Sequence, residues 1–104
     1  MIAEAIDDIE ELANFYYQLV DQRSAENFID DVFATLQSLE TFPESYLSVK
    51  DHPDYRRTHL QRHKVTIIYR VDDGVYEVIA IGVFHTLREP SDFTQQLAER
   101  LRSL

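Results

Sequence analysis

The 104-residue chain has no cysteine and no tryptophan, one methionine, two glycines and three prolines. Without cysteine there is no disulfide, no thiolate metal site and no cysteine nucleophile. Two glycines do not build a glycine-rich phosphate loop. So little glycine and proline beside 44% apolar residues is not the composition of a disordered segment. No apolar run approaches the roughly 18 residues that a bilayer span requires. The opening MIAEAIDDIEEL carries acids where a signal or transit peptide needs cations. What remains is a domain over residues 1–104, expected in the cytoplasm, with no membrane association and no cofactor implied.

Charge is unevenly placed. Residues 1–51 hold twelve acids against Arg23 and Lys50, whereas residues 52–104 hold eight bases against seven acids. Arg56, Arg57, Arg62, Lys64 and Arg70 follow one another with no acid between Tyr55 and Val71. The net charge of −9 opposes unaided long-range attraction to nucleic acid. A local basic strip still acts once other contacts have docked it, and its plainest reading is a solvated strand face.

Periodicity supplies the architecture. Ile2, Ala5, Ile6, Ile9, Leu12, Ala13, Tyr16, Leu19 and Val20 recur in steps of three and four, one stripe of an amphipathic helix. Asp21-Gln22-Arg23 interrupts it, and Ser24 is the expected N-cap of a second helix striped by Ala25, Phe28, Ile29, Val32, Phe33, Leu36 and Leu39. Pro43 stops that helix. So short a connection makes the two helices antiparallel neighbours. Pro43 to Asp54 reads as an irregular connection, and a short strand is expected around Tyr55–Leu60. Val65 to Arg70 then alternates as a strand, Asp72-Asp73-Gly74 is a turn with Gly74 offering a positive φ, and Val75 to Phe84 is an apolar strand. Past Pro90, Ser91 or Asp92 is expected to cap a last helix through Leu97, Leu101 and Leu104. The expected fold is α+β: an N-terminal antiparallel helical hairpin on a small, about three-stranded antiparallel sheet, with a short C-terminal helix.

Four histidines, His52, His59, His63 and His85, raise the question of a metal. His59 and His63 are four apart, a spacing that joins two ligands only on a helix, and here they flank a strand with no acidic third ligand in step. No metal site is therefore expected. The paired carboxylates of the first helix read as its solvated face. His85, at the end of the apolar strand, is the remaining candidate: with Arg88 and the strip it is expected on one open sheet face, able to titrate and to hold phosphate or an acidic partner.

The hairpin ending LQSLETFPE, followed by YRRTHLQRHKVTIIYRVDDGVYEVIAIGVFHTLREP, resembles the RelE/ParE superfamily of bacterial type II toxins over residues 2–90. The matching features are Leu39 and Pro43 closing the hairpin, Arg56 or Arg57 after Tyr55, Ile68-Tyr69-Arg70, and the apolar strand ending in His85 with Arg88. The resemblance implies a cytosolic toxin, of a kind tied to plasmid stabilisation, held inactive by a cognate ParD-like antitoxin that also supplies the DNA binding. Members normally begin with a strand ahead of the first helix, and this chain starts at the helix itself. Three strands from this chain are therefore expected, with either a late start site or a bare sheet edge for a partner strand to fill.

The resemblance implies two chemistries. RelE-like members cleave mRNA on the ribosome and are strongly basic; where some carry an essential arginine, three before the strand tyrosine, this chain has Thr66. ParE-like members bind and inhibit DNA gyrase. The acidic balance and Thr66 favour the ParE-like reading, a binding toxin rather than an enzyme, with Arg56, Arg57, Arg62, Arg70, His85 and Arg88 as target- or partner-binding residues. The alternatives are a ribosome-dependent endonuclease, with His85 as acid/base and Arg57, Lys64 and Arg88 on the phosphate, and a non-toxic antitoxin-binding module.

Overall fold

The apolar stripes become α1 (Ala3–Leu19) and α2 (Gln22–Thr41), as their spacing predicts. The computed structural model describes residues 1–41, 47–60, 62–72, 74, 77–85 and 93–104. Ala5, Ile9 and Leu12 of α1, with Phe28 and Val32 of α2, are buried against Val65, Ile67, Ala80 and Val83 of the sheet and Leu60 beside it. The break between the helices corrects one expectation. Asp21, not Ser24, caps α2: the Ser24 amide donates to Asp21 Oδ1 at 2.8 Å, so Ser24 is the donor of the cap. That backbone bond, foremost, holds the Asp21 carboxyl below its ordinary range. Pro43 lies outside the described residues.

The sheet is a meander in chain order, antiparallel throughout: β1 (Ser48–Val49), β2 (His52–His59), β3 (Val65–Asp72) and β4 (Glu77–His85). The three-stranded expectation is thus one strand short. The additional strand, β1, comes from the stretch read as an irregular connection. Two residues are too few to display alternation, and β2 begins at His52, ahead of the expected Tyr55, with Pro53 in second place. A proline is tolerated there because the pairing shifts between Ser48↔Arg56 and Val49↔His52. Asp51, at φ 67°, makes the turn between the two strands. Gly74 does not supply the expected positive φ; its amide is held by Asp72 Oδ1 at 3.0 Å, so the carboxylate shapes the turn.

β4 is last in hydrogen-bonding order yet covered on both faces. The hairpin lies on one; on the other, α3 (Thr94–Ser103) buries Phe93 and Leu97 against Val49, Ile68 and Ile81. Two covered faces explain an apolar run without alternation. Pairing steps from Ile68↔Gly82 to Tyr69↔Ala80, leaving Ile81 as a bulge. The expected caps Ser91 and Asp92 lie outside the described residues. Phe93, at φ 56°, precedes α3 with its ring buried and no side-chain cap. Leu97 is buried and Leu101 packs beside it, but Leu104 is 58% exposed and does not join the core as its spacing suggested.

Candidate partner-binding surface

Strand parity sorts the cations. Val65 and Ile67 belong to the hairpin-side core and Ile68 to the α3 side, and residues paired across strands share a face. On β2, Tyr55 pairs with Arg70, Arg57 with Ile68 and His59 with Thr66, so Arg57, His59 and Arg70 lie on the α3 side. Arg57 and Arg70 are diagonal neighbours there. Arg56 pairs with Tyr69 and belongs to the hairpin side, although it lines an open cavity of about 680 Å³ together with Tyr55, Arg70, Val71, Pro53 and Leu104. The structure thus gathers Arg56 and Arg70 around Tyr55, with Arg57 adjoining.

His85 does not join them. It pairs with Val65, which fixes it on the hairpin side, and its ring meets that of Phe15 of α1 edge-on at 5.9 Å. The expectation of one open face shared by His85 with Arg57 and Arg70 is therefore wrong: the strand places an odd-numbered histidine beside the core residue Val83, on the opposite face from those two. His85 instead lines a cavity of about 450 Å³ between α1 and β4, with Glu11, Phe15, Gln18 and Val83. Arg88 lies outside the described residues. Lys64 is exposed on the turn between β2 and β3. Arg62, on the same turn, reaches back to α2, where Asp31 accepts its Nε at 3.2 Å and its Nη2 at 2.5 Å. Its charge is neutralised on the hairpin.

The histidines at 59 and 63 part as well. His59 Nδ1 lies 2.5 Å from the hydroxyl of Thr66, which is fully buried. His63 turns to the hairpin, with Nδ1 2.9 Å from Asp31 Oδ2. Among the described residues no group of three histidine, aspartate or glutamate side chains converges as a metal site.

One polar cluster escaped the sequence reading. Asp8 accepts the Val83 amide at 2.9 Å and two bonds from Arg100 of α3, each 2.9 Å; Arg100 also donates to the Ile81 carbonyl at 3.0 Å. The Asp8 hydrogen bond, foremost, raises the Arg100 pKa above the ordinary arginine range. With the Ile2 amide on the Ala80 carbonyl at 3.2 Å, these contacts occupy the outer edge of β4 from Ala80 to Val83. That stretch is not a bare edge, which was one of the two alternatives read from the sequence. Asp8 was read as part of a solvated face, yet it shares the stripe of Ala5 and Leu12, and Arg100 stands three after Leu97. A charge set into an apolar stripe is the signal that marks both.

Among the described residues no helix is long and apolar enough to cross a membrane. A search of curated proteins finds no match. A solved structure described as the chromosomal ParDE TA system from P. aeruginosa shares the fold, with a TM-score of 0.69 at 16% identity over 81% of this chain and 89% of that one. The family described as the ParE toxin of the type II toxin-antitoxin system parDE matches residues 3–90. A hairpin on a four-stranded meander, with Arg56, Arg57 and Arg70 near a strand tyrosine, is the form this match takes here, and the chain belongs to the ParE family of type II toxins.

Proposed function

We propose that this toxin acts by binding, with DNA gyrase as its target and a cognate ParD-like antitoxin as its neutralising partner in the cytoplasm. The observation that carries this reading is the separation of His85 from Arg57 and Arg70 by the thickness of the sheet. Ribonucleolytic cleavage needs a proton-transfer group and charge-stabilising cations converging on one phosphate. Here the histidine packs against α1, while Arg57 and Arg70 lie across the sheet and Arg62 pairs with Asp31. A net charge of −9 also opposes docking on ribosomal RNA. Arg56, Arg57 and Arg70 around Tyr55 suit a protein surface rich in carboxylates, which arginine engages in bidentate fashion. DNA is then met only through the antitoxin or the target.

Purified toxin incubated with gyrase and relaxed plasmid is expected to block supercoiling. The double substitution Arg57→Ala with Arg70→Ala is expected to relieve the block while the chain still unfolds cooperatively. Normal supercoiling with wild-type toxin, or mRNA cleavage on ribosomes that His85→Ala abolishes, overturns the binding reading in favour of the nuclease.

A further inference from the structure

Between the C-terminal half of α2 and the first residues of β4 lies an open groove of about 430 Å³. Leu36, Val78 and the buried Ala80 give it an apolar lining. Met1 and Phe33 complete it at 39% and 54% exposure, although the helical stripe that holds Phe33 was expected inside. The sheet edge continues the groove. Ala80 directs its carbonyl outward to the Ile2 amide, so by strand alternation Val78 turns its own amide and carbonyl to the same edge. Val78 stands just ahead of the stretch that Ile2, Asp8 and Arg100 occupy.

The charge around this groove is of one sign. Glu40 and Glu77 rim it, both exposed. On α2, Glu26, Asp30 and Glu40 stand seven before, three before and seven after Phe33, and so share its exposed face. Arg23 is the only base in residues 1–41. Asp8 and Asp31 are neutralised by Arg100 and Arg62, whereas among the described residues neither Glu40 nor Glu77 has an ion pair. Covering the groove with a neutral or acidic chain would take water from both carboxylates and return no partner to them. A chain that brings cations beside an apolar side chain meets both demands at once.

We propose that this groove docks a cationic segment of the cognate antitoxin. The segment lays an aliphatic side chain between Met1, Phe33 and Leu36, sets lysine or arginine against Glu40 and Glu77, and meets the β4 edge at Val78. Acid on the toxin's helical layer thus selects base on the partner, while Arg57 and Arg70, on the opposite face of the sheet, are left to a carboxylate-rich target. The inference rests on the reading that an antitoxin neutralises this chain, and it is independent of the target.

Calorimetric binding of purified cognate antitoxin to the full chain, at low and at raised salt, tests it. Phe33→Ala is expected to weaken binding about tenfold or more. Glu40→Lys with Glu77→Lys is expected to weaken it about tenfold at low salt and to flatten its salt dependence. Tyr17→Ala, at the far end of the hairpin, is expected to bind as wild type does. In the wild-type complex, hydrogen exchange at the Val78 amide is expected to slow. Antitoxin that binds wild type, Phe33→Ala and the double lysine variant equally, or that loses affinity with Tyr17→Ala instead, overturns the groove and leaves neutralisation standing. Antitoxin that does not bind wild type at all overturns both. Self-association of the toxin that Phe33→Ala abolishes would give the groove to a second copy and overturn the proposal as well.

Discussion

Asp8 and Arg100 show how far a single side chain reaches in this fold. Each is about 15% exposed, and together they tie α1, β4 and α3 at one point. Removing either leaves a partly buried opposite charge and, for Asp8, an unmatched Val83 amide. Asp8→Ala and Arg100→Ala are each expected to lower stability by about 2–3 kcal/mol in urea unfolding. Arg100→Lys is expected to recover only part, because an ammonium does not reproduce two parallel bonds to the carboxylate. Asp21 offers a contrast at the surface. Its carboxyl is held below the ordinary range in the folded chain, so the cap stabilises above the unfolded value and is lost as pH falls through the folded one. Asp21→Ala is accordingly expected to melt lower than wild type at neutral pH, and the two melting curves to converge in acid. At this scale the sequence was half legible: it announced a cap between the helices but gave the role to Ser24, because aspartate and serine accept amide hydrogen bonds equally well.

Elements were more legible than their ends. The α1 and α2 stripes and the Val65–Arg70 alternation read directly, since periods of 3.6 and 2 each persist over several residues. β1 did not, because Ser48 and Val49 form a strand only through pairing with β2, which no local pattern encodes. The two-sided burial of β4 was legible in its apolar run, but the opposite faces of His85 and Arg57 follow from the pairing of His85 with Val65 and of Arg57 with Ile68, a tertiary register. Gly82 belongs to this level. A Cβ at that position would lie 2.6 Å from Phe84 Cζ, and the Phe84 ring also stacks on Phe93 and sits under Arg100. Gly82→Ala is expected to push that ring out and loosen α3, costing about 1–3 kcal/mol. The check is faster hydrogen exchange at the Leu97 amide, which is bonded to the Phe93 carbonyl.

The molecule as a whole pairs an acidic helical layer with a sheet that carries most of the basic strip, and its net charge of −9 is set by the former. Partners are then sorted by charge as well as by shape. Large apolar side chains also remain on its surface, Tyr17, Leu19, Val20, Phe33 and Leu47 each more than half exposed. A partner that covers such residues stabilises the folded form by mass action. Cognate antitoxin at a thousandfold excess over its dissociation constant is expected to add about 4 kcal/mol, read as a rise in melting temperature. An unchanged melting point would show that the two chains do not associate.

The closing of the β4 edge bears on what the protein does when it fails. Strands left open at a sheet border template their own kind, and here an aspartate, an arginine and the amide of the second residue occupy that border. Growth of a cross-β fibril from this border first has to pull the last helix loose. Substitutions that break the Asp8–Arg100 tie, Asp8→Ala above all, should therefore set the lag time of fibril formation, whereas the rest of the core bears on it only through global unfolding.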